Sequence, residues 1–147
     1  MTIFPRQNAE QVLHLSRYTF SGTIPGNATL AAGVQFGAIP PGALVKSCEV
    51  YVTDVVNSGT SSAINVGFTG NGTDLVSAGN ISGSTGLTTT AAPIAAAKTT
   101  LQATAKTGTP LFVTVNNAGT LATAGNVTVV VSFIPDWTGG IIGQVGG

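Results

Sequence analysis

Hydrophobic and polar positions alternate most cleanly between residues 110 and 135, in the stretch PLFVTVNNAGTLATAGNVTVVVSFIP. Successive side chains leave a β-strand on opposite faces, so a period of two with β-branched residues predicts a strand. Over residues 127–134, Val127, Val129, Val131 and Phe133 share one face, and Thr128, Val130, Ser132 and Ile134 share the other. One face is wholly apolar and one is mixed, which predicts a strand lining the core of a sandwich. Residues 111–115 form a second β-rich run, separated from the first by a polar, Gly-containing connection. The remaining elements are expected to pack around this pair.

From the N-terminus, residues 1–10 read as an arm, because Pro5 interrupts a regular ladder. Residues 11–20 predict a strand with Val12, His14, Ser16, Tyr18 and Phe20 on one face. Gly22, Pro25 and Gly26 break it. A weaker strand is expected over 28–36, with Leu30, Ala32, Val34 and Phe36 in phase, followed by the break Pro40-Pro41-Gly42. Residues 43–56 predict the longest strand. Leu44, Cys48, Val50, Val52 and Val56 are in phase, Lys46 and Asp54 end that face, and Tyr51 and Val55 lie opposite. The next strand carries Ile64, Val66 and Phe68. With Asn57-Ser58-Gly59-Thr60 between them, the two predict a β-hairpin.

Asn, Gly and Thr recur in the same order at 71–73 and 117–120, which predicts the same hairpin logic there. Asn and Gly accept the positive φ that tight connections need. Residues 74–98 are less regular: Leu75-Val76, Asn80-Ile81-Ser82 and residues 87–90 suggest short extended pieces. The Ala-rich 91–98 is interrupted by Pro93, which limits it to irregular structure or one helical turn. The tail from 136 combines Trp137, Ile141 and Ile142 with glycines.

About eight strands with Gly, Pro and Asn turns and almost no helix predict an all-β fold, a single sandwich of antiparallel strands. Without a Cys–Trp–Cys signal, the count favours a jelly roll over an immunoglobulin arrangement. A sandwich domain is expected over 11–135, between a flexible N-terminal arm (1–10) and a Gly-rich C-terminal tail (136–147). At 147 residues the chain suffices for one core.

Charge alters the functional picture. Only 7% of residues are charged and the formal net charge is zero. Nucleic-acid binding needs a basic stripe, and five cations with Lys46, Lys98 and Lys106 far apart do not make one. A free monomer near zero net charge has little to keep its copies apart. Much of its surface is therefore expected to be covered by copies of itself or by a partner. The N-terminus has no apolar signal region, which predicts synthesis in a cytoplasm. No run approaches the roughly 18 apolar residues of a membrane helix.

Candidate chemistry is sparse. Cys48 is the single cysteine and His14 the single histidine, so one chain cannot assemble a two-His metal site, a zinc cluster or a disulfide. Cys48 reads as a buried thiol and His14 as a structural residue in strand phase. No G-x-S-x-G elbow or phosphate loop is present. Of the five carboxylates, Glu49 and Asp54 are five apart on one strand and face opposite ways. Asp74 reads as a turn aspartate. Tyr18, Tyr51 and Trp137 are too scattered for a sugar-stacking platform. No enzyme activity, cofactor or metal is expected.

Several stretches resemble small structural proteins of tailed-bacteriophage heads. They are Leu30-Ala31-Ala32-Gly33-Val34, Ile39-Pro40-Pro41-Gly42-Ala43, Ala63-Ile64-Asn65-Val66-Gly67, Asp74-Leu75-Val76 and the run from Ala124 to Val131. More narrowly, residues 28–135 resemble the jelly-roll decoration, or cement, proteins on the outside of capsids. The resemblance implies a structural virion protein on the outer capsid surface, with the major capsid protein as partner and a homo-oligomeric state, dimer or trimer. It implies no catalytic or metal residue. Unexplained apolar residues at the two chain ends, Ile3, Phe4, Pro5, Trp137, Ile141 and Ile142, are then the candidate contacts to the shell or to a sister subunit. A receptor- or glycan-binding sandwich from a phage tail or fibre is the alternative. It would require exposed aromatics or a polar cluster among the loops.

Overall fold

A computed structural model describes residues 14–21, 32–40, 43–90 and 108–134. Eight strands carry these residues: β1 (His14–Ser21), β2 (Val34–Ile39), β3 (Leu44–Asp54), β4 (Ser61–Gly67), β5 (Val76–Asn80), β6 (Gly86–Thr90), β7 (Thr109–Ala118) and β8 (Asn126–Ile134). They form two four-stranded sheets. Sheet A has the order β1-β8-β3-β6 and sheet B the order β2-β7-β4-β5. Every pairing is antiparallel. The neighbours are nested: first with eighth, second with seventh, third with sixth, fourth with fifth. A long antiparallel ribbon rolled over so that β3 meets β8 and β4 meets β7 produces this order, which is the jelly roll expected from the strand count.

Alternation explains which residues fill the space between the sheets. Val127, Val129, Val131 and Phe133 of β8 are buried, opposite Val45, Cys48, Val50 and Val52 of β3 in register. From sheet B, Ile64 and Val66 of β4 and Leu111, Val113 and Val115 of β7 meet them. Each such aliphatic side chain contributes about 1.5–3 kcal/mol on full burial. At the β1–β2 edge, Tyr18 and Phe36 span the two sheets with ring centroids 5.8 Å apart.

Bulges correct the expected phases. On β3 the register shifts between Val45 and Ser47, so Val45 turns inward and Lys46 outward. Strict alternation had placed Lys46 on the apolar face, and an extra residue in the strand reverses that parity. A second shift on β3, between Val52 and Asp54, pairs Asp54 with Asn126, so Asp54 faces outward on the same side as Glu49 and not opposite it. On β2 the shift between Gln35 and Gly37 brings Ile39 into the core in the phase begun by Val34. That strand begins at Val34, and positions 28–31 of the expected run lie outside the described residues.

The expected hairpin between the strands over 43–56 and 64–68 does not form. β3 lies in sheet A and β4 in sheet B, and the segment between them arches from one sheet to the other. The 117–120 turn begins a second arch, joining β7 to β8. The arches bond to each other: the Gly59 and Thr60 amides donate to the carbonyls of Thr120 and Ala118 at 3.1 and 3.0 Å. Only the Asn71-Gly72-Thr73 turn joins paired neighbours, β4 and β5. Asn and Gly supply positive φ to an arch as readily as to a hairpin, so the turn residues alone do not say which sheet follows.

Candidate interaction surface

The six candidate contacts Ile3, Phe4, Pro5, Trp137, Ile141 and Ile142 lie outside the described residues. So do the arm over 1–10, the tail over 136–147 and the Ala-rich segment 91–98.

Within the described residues the chemistry is quiet. Cys48 is fully buried against the valines of β8 and β3. Burial, and secondarily the nearby Glu49 charge, push its thiol pKa up to about 12. A thiol held protonated in this way is a poor nucleophile at neutral pH. His14 opens β1 in register with Phe133. Asp74 acts as a turn residue, its Oδ2 accepting from the Phe68 amide at 3.0 Å. No group of three His, Cys, Asp or Glu that could hold a metal occurs among the described residues. Tyr18 packs toward the core while Tyr51 is exposed, so the two tyrosines share no platform.

The outer faces of the two sheets differ. The connection between β4 and β5 folds back over sheet B. Thr114 donates from Oγ1 to the Gly70 carbonyl at 2.6 Å and is buried beneath it. Asn65 accepts from the Ala78 amide at 2.7 Å, which holds Ala78 at a φ of 49° in an irregular stretch of β5. Gly33 is needed at this crossing: its φ is 86°, and a Cβ there would lie 1.9 Å from the Gly70 carbonyl oxygen. Much of sheet B's outer surface is thus occupied by its own chain.

On sheet A the outer face is half-exposed over its central strands, with Ser132 buried, and exposed toward β1 and β6. Register places Arg17, Val130 and Glu49 in one row across β1, β8 and β3. Thr19, Thr128, Tyr51 and Leu87 form the next row, and Leu15, Ser132 and Ser47 a third. The large apolar side chains exposed among the described residues are Leu15 (63%), Leu87 (51%), Leu121 (50%) and Tyr51 (39%), and three of these four lie on this face. Thr19 and Thr128 are hydrogen-bonded through their hydroxyls at 2.9 Å. Tyr51 donates its hydroxyl to Glu49 Oε2, and that bond is the main cause raising the phenol pKa above its ordinary value. The face is therefore broad and carries Arg17 on β1 and Lys46, Glu49 and Asp54 on β3, either side of β8. The mixed second face of 127–134 was its only trace in the sequence. Its pairing with Tyr51 and Leu87 depended on unseen topology.

No family model and no curated protein matches this sequence. Solved structures do match. The fold is shared with chains of two bacteriophage capsids. One is in the cyanophage Pam1 capsid asymmetric unit, at a TM-score of 0.64 and 19% identity, covering 92% of this chain and 93% of that one. The other is in the capsid of Ralstonia phage GP4, at a TM-score of 0.53 and 18% identity, covering 92% of this chain and 90% of that one. At such identities the likeness is one of fold. It extends over nearly the whole of each partner, so both matched chains are close to this one in length.

Proposed function

We propose that this chain is a structural virion protein that decorates the outside of a phage head and cements contacts between major capsid protein subunits. The observation that carries the proposal is the near end-to-end match of one jelly roll to single chains of two phage capsids. The match covers nearly all of each neighbouring chain, not one domain of it. The low charge of the chain, 7% of its residues, agrees with a role in which much of the surface is covered by neighbours.

In this reading the protein is made in the host cytoplasm and assembles as a homo-oligomer, dimer or trimer. It binds the shell through its apolar ends, Ile3, Phe4 and Pro5 at one and Trp137, Ile141 and Ile142 at the other. Ordering a terminal segment costs entropy, which burial of those side chains offsets on binding. Clamping neighbouring capsomers opposes the outward pressure of packaged DNA.

The test is binding of the purified protein to expanded shells that lack it, followed by heating. Saturable binding and a raised disruption temperature are expected. Trp137→Ala or removal of residues 136–147 should weaken binding while leaving the sandwich folded. Failure to bind shells, with adsorption to host cells instead, would overturn the proposal in favour of a receptor-binding module.

A further inference from the structure

We infer that Asn71-Gly72 is a latent self-modification site, which the fold holds closed and which converts to aspartate and isoaspartate when the β4–β5 connection opens. The inference is independent of the capsid reading. Asn71 is the one asparagine in this sequence that is followed by glycine. A glycine in that place lets its own main-chain nitrogen approach the asparagine side chain, because no Cβ restricts its backbone.

The chemistry balances with water alone. The Gly72 nitrogen gives its proton to solvent base and bonds to Cγ of Asn71. The bond from Cγ to the side-chain nitrogen breaks, ammonia leaves, and a five-membered imide remains. Water then adds to one of the two imide carbonyls and opens the ring. One opening gives aspartate. The other gives isoaspartate, in which the main chain runs through the former side chain. Nothing is oxidised or reduced.

The structure withholds the attacking group. The Gly72 amide donates to the Thr69 carbonyl at 2.9 Å, closing a turn with Gly70 and Asn71 at its centre. The Gly72 backbone is also seated tightly. A Cβ on Gly67 of β4 would lie 2.4 Å from its carbonyl carbon, and a Cβ on Gly72 itself would lie 2.7 Å from Asp74 Oδ2. That carboxylate oxygen accepts from the Phe68 amide at 3.0 Å. Ahead of the site, Thr114 Oγ1 holds the Gly70 carbonyl at 2.6 Å. Beyond it, the Leu75 amide donates to the Val66 carbonyl at 2.9 Å. Asn71 is thus exposed to water but anchored on both sides. The ring closes from a locally opened state, so the folded chain reacts at the unfolded rate multiplied by the fraction of time the connection is open. The reaction runs one way. Isoaspartate adds a carbon to the main chain, which does not fit the 69–72 turn, so an opening that reacts leaves a permanent mark.

Peptide mapping by mass spectrometry tests this on the full chain, incubated at mildly alkaline pH with and without guanidinium chloride. Aspartate and isoaspartate at position 71 are followed in time, and circular dichroism confirms that each variant is folded. In the unfolded chain position 71 should react faster than any other asparagine. In the folded chain it should react at least tenfold more slowly, and tenfold corresponds to an opening free energy of about 1.4 kcal/mol. Thr114→Val removes the bond to Gly70, and Asp74→Ala removes the bond to the Phe68 amide. Each should speed the folded reaction by about threefold or more while leaving the unfolded rate unchanged. Equal rates in the folded and unfolded chains would overturn the inference, as would an unfolded chain in which another asparagine reacts first. Folded Thr114→Val and Asp74→Ala chains that both react at the wild-type rate would also overturn it, because the connection would then not be what holds the site closed.

Discussion

At Cys48 the core closes over a thiol in register with Val131, and this has a consequence for stability at alkaline pH. An unfolded chain releases the thiol proton near the ordinary value of 9, whereas the folded chain holds it to about 12. Below pH 9 both states keep the proton and the group contributes no pH dependence. Between the two values the folded state binds more protons than the unfolded state, so stability falls as pH rises, by at most about 1.4 kcal/mol per unit. Urea midpoints between pH 8 and pH 11 should show this decline. Cys48→Ala should remove that part of the slope, leaving the contribution of Tyr51 common to both proteins. Identical slopes would mean that the thiol is accessible in the folded state. Gly33 makes a second case at this scale. An alanine there meets the Gly70 carbonyl at 1.9 Å in a backbone conformation that side chains disfavour. Gly33→Ala should cost about 2–4 kcal/mol, seen as a lower urea midpoint with an unchanged slope. A loss below about 0.5 kcal/mol would show that the β4–β5 connection moves aside freely.

Among the elements, the arches depart most from what the chain pattern suggests. Residues 57–60 look like a solvated turn, yet their amides are bonded across to the β7–β8 arch. Asn57 completes the clasp: its Oδ1 accepts from the amides of Thr123 and Ala124, both at 2.8 Å, and its Nδ2 donates to Thr123 Oγ1 at 3.0 Å. Hydrogen exchange should therefore find the Gly59 and Thr60 amides protected, unlike those of an ordinary exposed turn. Asn57→Ala should speed exchange at Thr123 and Ala124 and cost about 1 kcal/mol or more. Fast exchange at Gly59 in the unaltered protein would mean the arches are not clasped in solution. The contrast shows where legibility ended. β8 could be read directly because its inward face is four uninterrupted apolar positions, and β3 could be read except where one bulged residue reversed its phase. Partnership could not. Alternation reports which side of a strand is buried and says nothing of the sheet it joins, so β3 and β4 looked like a hairpin. The candidate contacts proposed from the sequence were the unexplained apolar residues at the two ends. The outer face of sheet A escaped notice because its side chains come from four strands that are distant in sequence and meet only once the ribbon is rolled.

For the molecule as a whole, the scarcity of charge predicts how its proposed shell contact should respond to salt. Ten of 147 residues are acidic or basic, and the ends assigned to shell binding are dominated by Phe4, Trp137, Ile141 and Ile142. A contact made by apolar burial is not screened, whereas exposed charge pairs are largely screened once the Debye length falls to about 3 Å at 1 M salt. Shell binding should therefore change by less than about threefold between 50 mM and 1 M NaCl, because apolar burial carries no ionic term of its own. Cosedimentation with shells at three salt concentrations measures this. If wild-type binding instead collapses with salt, charged residues carry the shell contact, and the apolar ends are not the glue.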